Sequence, residues 1–233
     1  MVRLIVFDLD GTLAALGKGI EPENLKLLHA LEEKGARIAI CSGKPTYYLC
    51  GFMRQVGLKK PILVGENGAV IQMGVDLPPT QYYVAPYSEG AKRSIRLLRE
   101  AIERAVPGMW YQPNEVGLTP FPRNDAEFAA VQAAIDALSD QICDVIVYRH
   151  CDSFDITPEG ITKKSGLERL GALLGIAAEE TVAVGDGVND YPMFEYAGHA
   201  VGVNVRDVSK VDVNFATAKE ALGYLLARIE KKK

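Results

Sequence analysis

The first residues able to do chemistry are Asp8 and Asp10, within the run Leu4-Ile5-Val6-Phe7-Asp8-Leu9-Asp10-Gly11-Thr12. Residues i and i+2 of an extended chain point the same way, so both carboxylates can face one pocket. Two close carboxylates repel each other unless a cation or a shared proton intervenes. A hard divalent ion of the Mg²⁺ kind, with oxygen ligands, is the economical resolution. Alone, an Asp before Gly is equally the start of a turn. That simpler reading weakens because Gly185-Asp186-Gly187-Val188-Asn189-Asp190 repeats the arrangement after another apolar run. Four acids at two strand ends are hard to explain as turns alone.

Two further features fit an anionic ligand. Ser42-Gly43-Lys44 follows an apolar run, and a hydroxyl with free backbone N–H groups at a strand–helix junction suits phosphate oxygens. By itself Ser-Gly is an ordinary loop. Lys163 and Lys164 stand at the start of a helical stretch after Gly160. A cation there opposes the helix macrodipole and needs a reason, although a surface lysine is the commoner case.

The elements that must position these residues follow from periodicity. Arg3–Phe7, Ala36–Cys41 and Pro61–Val64 are short continuous apolar runs, which suit strands buried on both faces. They alternate with helical stretches at about 22–34 and 47–56, the first opened by Pro22 and closed by Gly35. This rhythm predicts an α/β fold with a doubly wound parallel sheet, Rossmann-like in layout. Gly74, Pro78, Pro79 and Pro86 then break the regularity. Helices are expected at 88–105 and 125–138, with strand-like pieces near 108–119, 142–149 and 153–157, as in an α+β module with an antiparallel sheet. The doubly wound rhythm resumes with helices at 165–174, from Tyr191 and from Ala218, and strands at 181–184 and 200–203. The expected division is a core of residues 1–78 and 158–233 around an inserted module of 79–157. Lys231–Lys233 is expected to be a solvated tail.

Composition bounds the rest. A chain of 233 residues, 48% hydrophobic and 24% charged, is long enough to bury a real core, and 26 basic against 30 acidic residues gives −4. That balance offers no general attraction for nucleic acid or anionic membrane. No apolar run is long enough to span a bilayer, and with acids inside the N-terminal apolar run no signal peptide is expected there. Four scattered cysteines, Cys41, Cys50, Cys143 and Cys151, are expected to be reduced thiols in a cytoplasmic protein.

Asp8–Thr12 (DLDGT), the Ser42-Gly43 turn, Lys163 and Gly185–Asp190 (GDGVND) together resemble the four motifs of the haloacid dehalogenase (HAD) superfamily of phosphohydrolases. Glu66-Asn67-Gly68-Ala69 resembles a further signature of the subgroup with a type IIB cap, whose α+β cap is inserted between the second and third motifs. Within it the chain is most similar to archaeal-type phosphoglycolate phosphatases and Cof-like sugar-phosphate phosphatases. The resemblance implies that Asp8 is the nucleophile and Asp10 the general acid and base. It implies that Thr12, Ser42 and Gly43 contact the phosphoryl group, that Lys163 neutralises it, and that Asn189 orients Lys163 or the phosphate. Mg²⁺ would be held by Asp8, the backbone carbonyl of Asp10, Asp186 and Asp190. Lys163 is preferred to Lys164 because Gly-Ile-Thr-Lys matches the family's Gly-Val-Ser-Lys.

In that family the cap contacts the leaving group, so Arg123 and Arg149 are candidate specificity residues. A loop arginine can grip a carboxylate bidentately, and a solvated arginine is at least as common. The expected activity is Mg²⁺-dependent hydrolysis of a small phosphorylated metabolite, phosphoglycolate or a sugar phosphate, by a monomer or homodimer without nucleic-acid or membrane partner. A phosphomutase of the phosphomannomutase type and a non-enzymatic phospho-acceptor are the alternatives.

Overall fold

A computed structural model describes residues 2–230; the expected tail, Lys231–Lys233, lies outside them. The chain divides into two compact units, Met1–Tyr83 with Thr162–Lys233, and Val84–Ile161. In chain order the first unit contains β1 (Leu4–Phe7), α1 (Pro22–Glu33), β2 (Arg37–Cys41), α2 (Thr46–Val56), β3 (Ile62–Gly65) and β4 (Val70–Met73). β5 (Gln81–Val84) ends at the boundary. The second unit holds α3 (Glu89–Ala105), β6 (Trp110–Gln112), β7 (Thr119–Phe121), α4 (Asp125–Asp136), β8 (Val145–Arg149) and β9 (Phe154–Pro158). The first unit resumes with α5 (Lys163–Leu174), β10 (Thr181–Gly185), α6 (Tyr191–Tyr196), β11 (His199–Val203), β12 (Val213–Phe215) and α7 (Ala218–Glu230).

The sheet order is β12-β11-β10-β1-β2-β3-β4-β5. β1 is central and runs parallel to both neighbours, with Phe7 beside Val184 and Ile40. Its side chains alternate between two cores. Ile5 and Phe7 join Ile38, Ile40, Val182 and Val184 under Leu28 and Leu31 of α1, Leu49 and Met53 of α2, and Leu222 and Leu225 of α7. Leu4 and Val6 join Ala39, Cys41 and Ala183 under Leu167 and Leu170 of α5 and Met193 and Phe194 of α6. Helices cover both faces, which is why these strands are apolar without alternation.

From β12 through β11, β10, β1 and β2 to β3 the sheet is parallel, as the sequence pattern suggested. β3 and β4 form an antiparallel hairpin, Gly65 opposite Val70. β4, β5 and β12 are three strands that periodicity did not mark, each only three or four residues long and next to loops rich in Gly, Pro or polar residues.

The second unit has its own core. Leu98, Ile102, Val131 and Ile135 of α3 and α4 pack with Leu118, Phe154 and Ile156. The hairpins β6–β7 and β8–β9 are antiparallel, and Leu118 and Ile156 exchange both backbone bonds at 2.9 Å to join them. The predicted strand at 108–119 is thus two short strands with a connecting loop.

Candidate active site

In open α/β sheets ligands bind beyond the carboxyl ends of the strands, where the strand order reverses. β1 is that place: the chain leaves it toward β2 on one side and returns as β10 on the other. The register of β1 and β10 sets Asp8 and Asp186 just beyond adjacent strand ends, with Ser42 following β2.

The centre of the site is Lys163. It opens α5 behind a Thr162–Ser165 capping box, yet its side chain is only 1% exposed. Its ammonium donates to Asp8 Oδ1 at 2.6 Å and to Asp190 Oδ1 at 2.5 Å. Burial disfavours the ammonium, but Asp8 and Asp190 outweigh it and raise its pKa. This explains the cation at a helix start, where the dipole alone would disfavour it. Lys164 turns outward to Glu195 at 3.7 Å, half-exposed, so Lys163 is the lysine that reaches the acids.

Asp190 is fully buried and does several things at once. Its Oδ2 accepts from the Asp186 and Gly187 N–H groups at 2.9 and 3.0 Å, closing the GDGVND loop on itself. Asp186 in turn accepts from the Thr12 hydroxyl at 2.7 Å. Burial pushes the Asp8 carboxyl up to about 7, with the Lys163 ammonium opposing the shift and Asp190 adding to it. Burial raises Asp186 as well, against the Thr12 hydrogen bond and with Asp190 adding again.

Asp8, Asp186 and Asp190 each place one carboxylate oxygen within 4.8 Å of the other two. Among the described residues Asp8 and Asp190 share the one ammonium while Asp186 has none of its own, so the group holds more acids than cations in a largely buried place. A divalent cation with oxygen ligands fits that donor set.

The remaining predicted residues are less concentrated. Asp10 is half-buried two residues beyond Asp8, its backbone bridged to Ala14. Ser42 is buried, its hydroxyl accepting from the Lys44 N–H at 3.2 Å, and Gly43 lies beside the Asn67 amide. Asn189 is exposed, and the ammonium bonds of Lys163 go to Asp8 and Asp190. In the second unit, the Arg123 guanidinium donates to the Gly108 carbonyl. Arg149 lies over the Phe128 and Phe154 rings, 5.4 and 5.8 Å from their centroids, beside an open groove of ≈ 580 Å³. The Glu66–Gly68 turn is marked in the sequence only by its likeness to a signature and by the glycines at 65 and 68.

Several known proteins are similar to this chain over most of its length. The chain is 23% identical over 223 residues to a phosphoglycolate phosphatase of Methanococcoides burtonii, covering 96% of this chain and 92% of that protein. It is 24% identical to a 5-amino-6-(5-phospho-D-ribitylamino)uracil phosphatase of Bacillus subtilis, covering 93% and 90%. A haloacid dehalogenase-like hydrolase from Bacteroides thetaiotaomicron has the same fold, with a TM-score of 0.79 at 20% identity and full coverage of both chains. A family model for haloacid dehalogenase-like hydrolases matches residues 5–98 and 118–208, a span holding all four acids, Ser42 and Lys163, and the chain belongs to that family of hydrolases.

Proposed function

We propose that this hydrolase is a phosphatase of small phosphorylated metabolites, acting through an aspartyl-phosphate on Asp8. The observation that carries this reading is the buried Asp8–Lys163–Asp190 constellation with Asp186 beside it. A carboxylate held in place next to a fixed ammonium suits attack on an anionic phosphoryl group, because the ammonium offsets the charge of nucleophile and target together.

Asp8 attacks phosphorus, an acyl-phosphate bond forms, and the ester oxygen leaves with a proton from Asp10. Asp10 then takes a proton from water as it attacks phosphorus, freeing inorganic phosphate and Asp8. The hydroxyls of Thr12 and Ser42 and backbone N–H groups near Gly43 hold phosphoryl oxygens, and Asn189 borders them. Asp8, the Asp10 carbonyl, Asp186 and Asp190 would hold Mg²⁺, which when bound offsets charge on carboxylates and phosphoryl oxygens. The inserted residues 79–157 act as a type IIB cap that chooses the leaving group, with Arg123 and Arg149 as its candidate cations.

Relatives named for phosphoglycolate and for a phosphorylated ribitylaminouracil support this substrate class. Phosphoglycolate or a sugar phosphate is the expected substrate. Among the described residues no helix is long and apolar enough to cross a membrane, and all four cysteines are free. Free thiols are compatible with a reducing, cytoplasmic setting, and the proposed enzyme is a monomer or homodimer without a nucleic-acid partner.

The test is a panel of phosphorylated metabolites assayed with Mg²⁺ and without any sugar bisphosphate. Multiple turnover to inorganic phosphate is expected, and Asp8→Asn should abolish it while leaving the fold intact. Phosphate transfer only in the presence of a bisphosphate would make the enzyme a mutase instead. Full activity in Asp8→Asn, with deamidation excluded, would remove the nucleophile assignment.

A further inference from the structure

The turn joining β3 to β4 is strained, and it touches both the Ser42 loop and the helix that carries Lys163. Glu66 and Asn67 are consecutive non-glycine residues with φ of 52° and 53°, followed by Gly68 at 103°. Left-handed backbone crowds Cβ against the following carbonyl oxygen in any residue but glycine, with Asn among the more tolerant types. Paired strain of this kind persists only where the surroundings over-determine it, and it concentrates at functional sites.

Here the surroundings are specific. On one side the Glu66 N–H donates to the Lys44 carbonyl and the Asn67 N–H to the Ser42 carbonyl, both at 3.0 Å. The Ser42 N–H returns to the Val64 carbonyl at 2.9 Å. A methyl on Gly65 would stand 2.8 Å from the Thr46 nitrogen and 2.9 Å from the Lys44 oxygen. The Asn67 amide itself lies over Gly43, 3.4 Å from where that residue's Cβ would be.

On the other side the turn is pressed against the start of α5. A Cβ on Gly68 would sit 2.3 Å from the Thr162 carbonyl oxygen and 3.0 Å from Gly166 Cα. A Cβ on Gly166 would sit 2.5 Å from Gly68 Cα. Arg169 of α5 donates to the Gly68 carbonyl at 3.2 Å. Thr162 is the residue before Lys163, so the turn bears on the backbone that aims the lysine.

We infer that the Glu66–Gly68 turn is a positioning clamp that sets the separation of the Ser42–Gly43 loop and Lys163, with Asn67 ordering the loop and Gly68 seating the helix. The inference rests on the proposed function, in which that loop and that lysine hold the phosphoryl group. Neither Asn67 nor Gly68 is assigned contact with substrate; both act through the residues they hold.

The experiment compares wild type, Asn67→Gly and Gly68→Ala, using p-nitrophenyl phosphate with Mg²⁺, inorganic phosphate as inhibitor, and thermal melts. Glycine accepts positive φ at no steric cost, so Asn67→Gly keeps the turn and deletes only the amide. It should leave Tm within a few degrees or raise it. KM and the inhibition constant for phosphate should rise about tenfold, more than kcat falls, since small misplacements of binding groups are costly. Gly68→Ala should instead lower kcat, by about a hundredfold if α5 moves by an ångström.

Unchanged phosphate inhibition in Asn67→Gly overturns the inference, and so does weakening that only accompanies a loss of thermal stability. A Gly68→Ala enzyme with wild-type kcat overturns it too; should that variant not fold, Asn67→Gly decides. A wild-type chain that neither hydrolyses the aryl phosphate nor binds inorganic phosphate refutes the functional reading, a result separable from failure of the clamp alone.

Discussion

Lys163 is the residue on which the site depends, because its ammonium is the shared counter-charge of two buried carboxylates. Removing one partner of a buried ionic group strands the others at a cost of about 3–5 kcal/mol. Lys163→Ala should therefore lose stability of that size in metal-free urea denaturation, together with nearly all activity. A stability unchanged within error would mean the acids are solvated, contrary to their burial. A milder example lies in the second unit, where His150 meets Asp155 at 3.2 Å. The hydrogen bond to Asp155 raises the His150 pKa above its usual 6.5, against partial burial and with the charges of Asp155 and Asp152 adding to it. The interaction is fully present below about pH 6.5, the unfolded value, and is lost as pH rises through the higher folded pKa. With the ring partly exposed, its contribution stays below about 1 kcal/mol. An NMR titration should place His150 above 6.5 and Asp155→Asn should bring it down; a wild-type value at or under 6.5 would contradict the pairing.

At the scale of elements, the acids are aimed by how strands end. Gly11 follows Asp10 with φ of 93°, and a Cβ there would stand 2.4 Å from Asp186 Oδ2. Gly11→Ala combines backbone strain with a displaced carboxylate, so it should cut activity more than tenfold, a loss of over about 1.4 kcal/mol in transition-state stabilisation. It should also shift the Mg²⁺ titration to higher concentration; an unaltered titration would count against Asp186 as a ligand. Gly19, in the same loop, has nothing within 4 Å of its would-be Cβ. Gly19→Ala should change stability by no more than about 0.5 kcal/mol, which makes it the matched control.

For the whole molecule, the consequence of the insertion is an asymmetry of folding. The second unit is one continuous segment, Val84–Ile161, with a separate core around Leu98, Ile102, Phe154 and Ile156. The first unit needs both ends of the chain, since β1 lies between β2 and β10. An excised 84–161 fragment should therefore melt cooperatively, at a length of chain that is marginal yet sufficient for independent folding. Residues 1–83 expressed alone should not, because β1 would lose its β10 partner and α1 would lose Leu222 and Leu225 of α7. A non-cooperative 84–161 fragment would show that its core is not self-sufficient.

The parts of this protein that were legible in its sequence are those written in local pattern. Asp8, Asp10 and the Gly185–Asp190 run announced acidic strand ends, and continuous apolar runs such as Leu4–Phe7 announced strands covered on both faces. Tertiary structure decided what local pattern cannot carry. The antiparallel β4 and the short β5 and β12 take their place from partners rather than from periodicity, since three or four residues hold too little of it. Likeness to a motif favoured Lys163 over Lys164, but the inward turn of Lys163 and the Glu195 partner of Lys164 come from the fold, which decides which side of α5 meets the sheet. Likewise Asp190 gains the ammonium, and Asn67 its place over Gly43, from segments far away in the chain. A residue's type and spacing limit what chemistry it can do; which charges become its neighbours, and how dry that neighbourhood is, depends on the assembled sheet and helices.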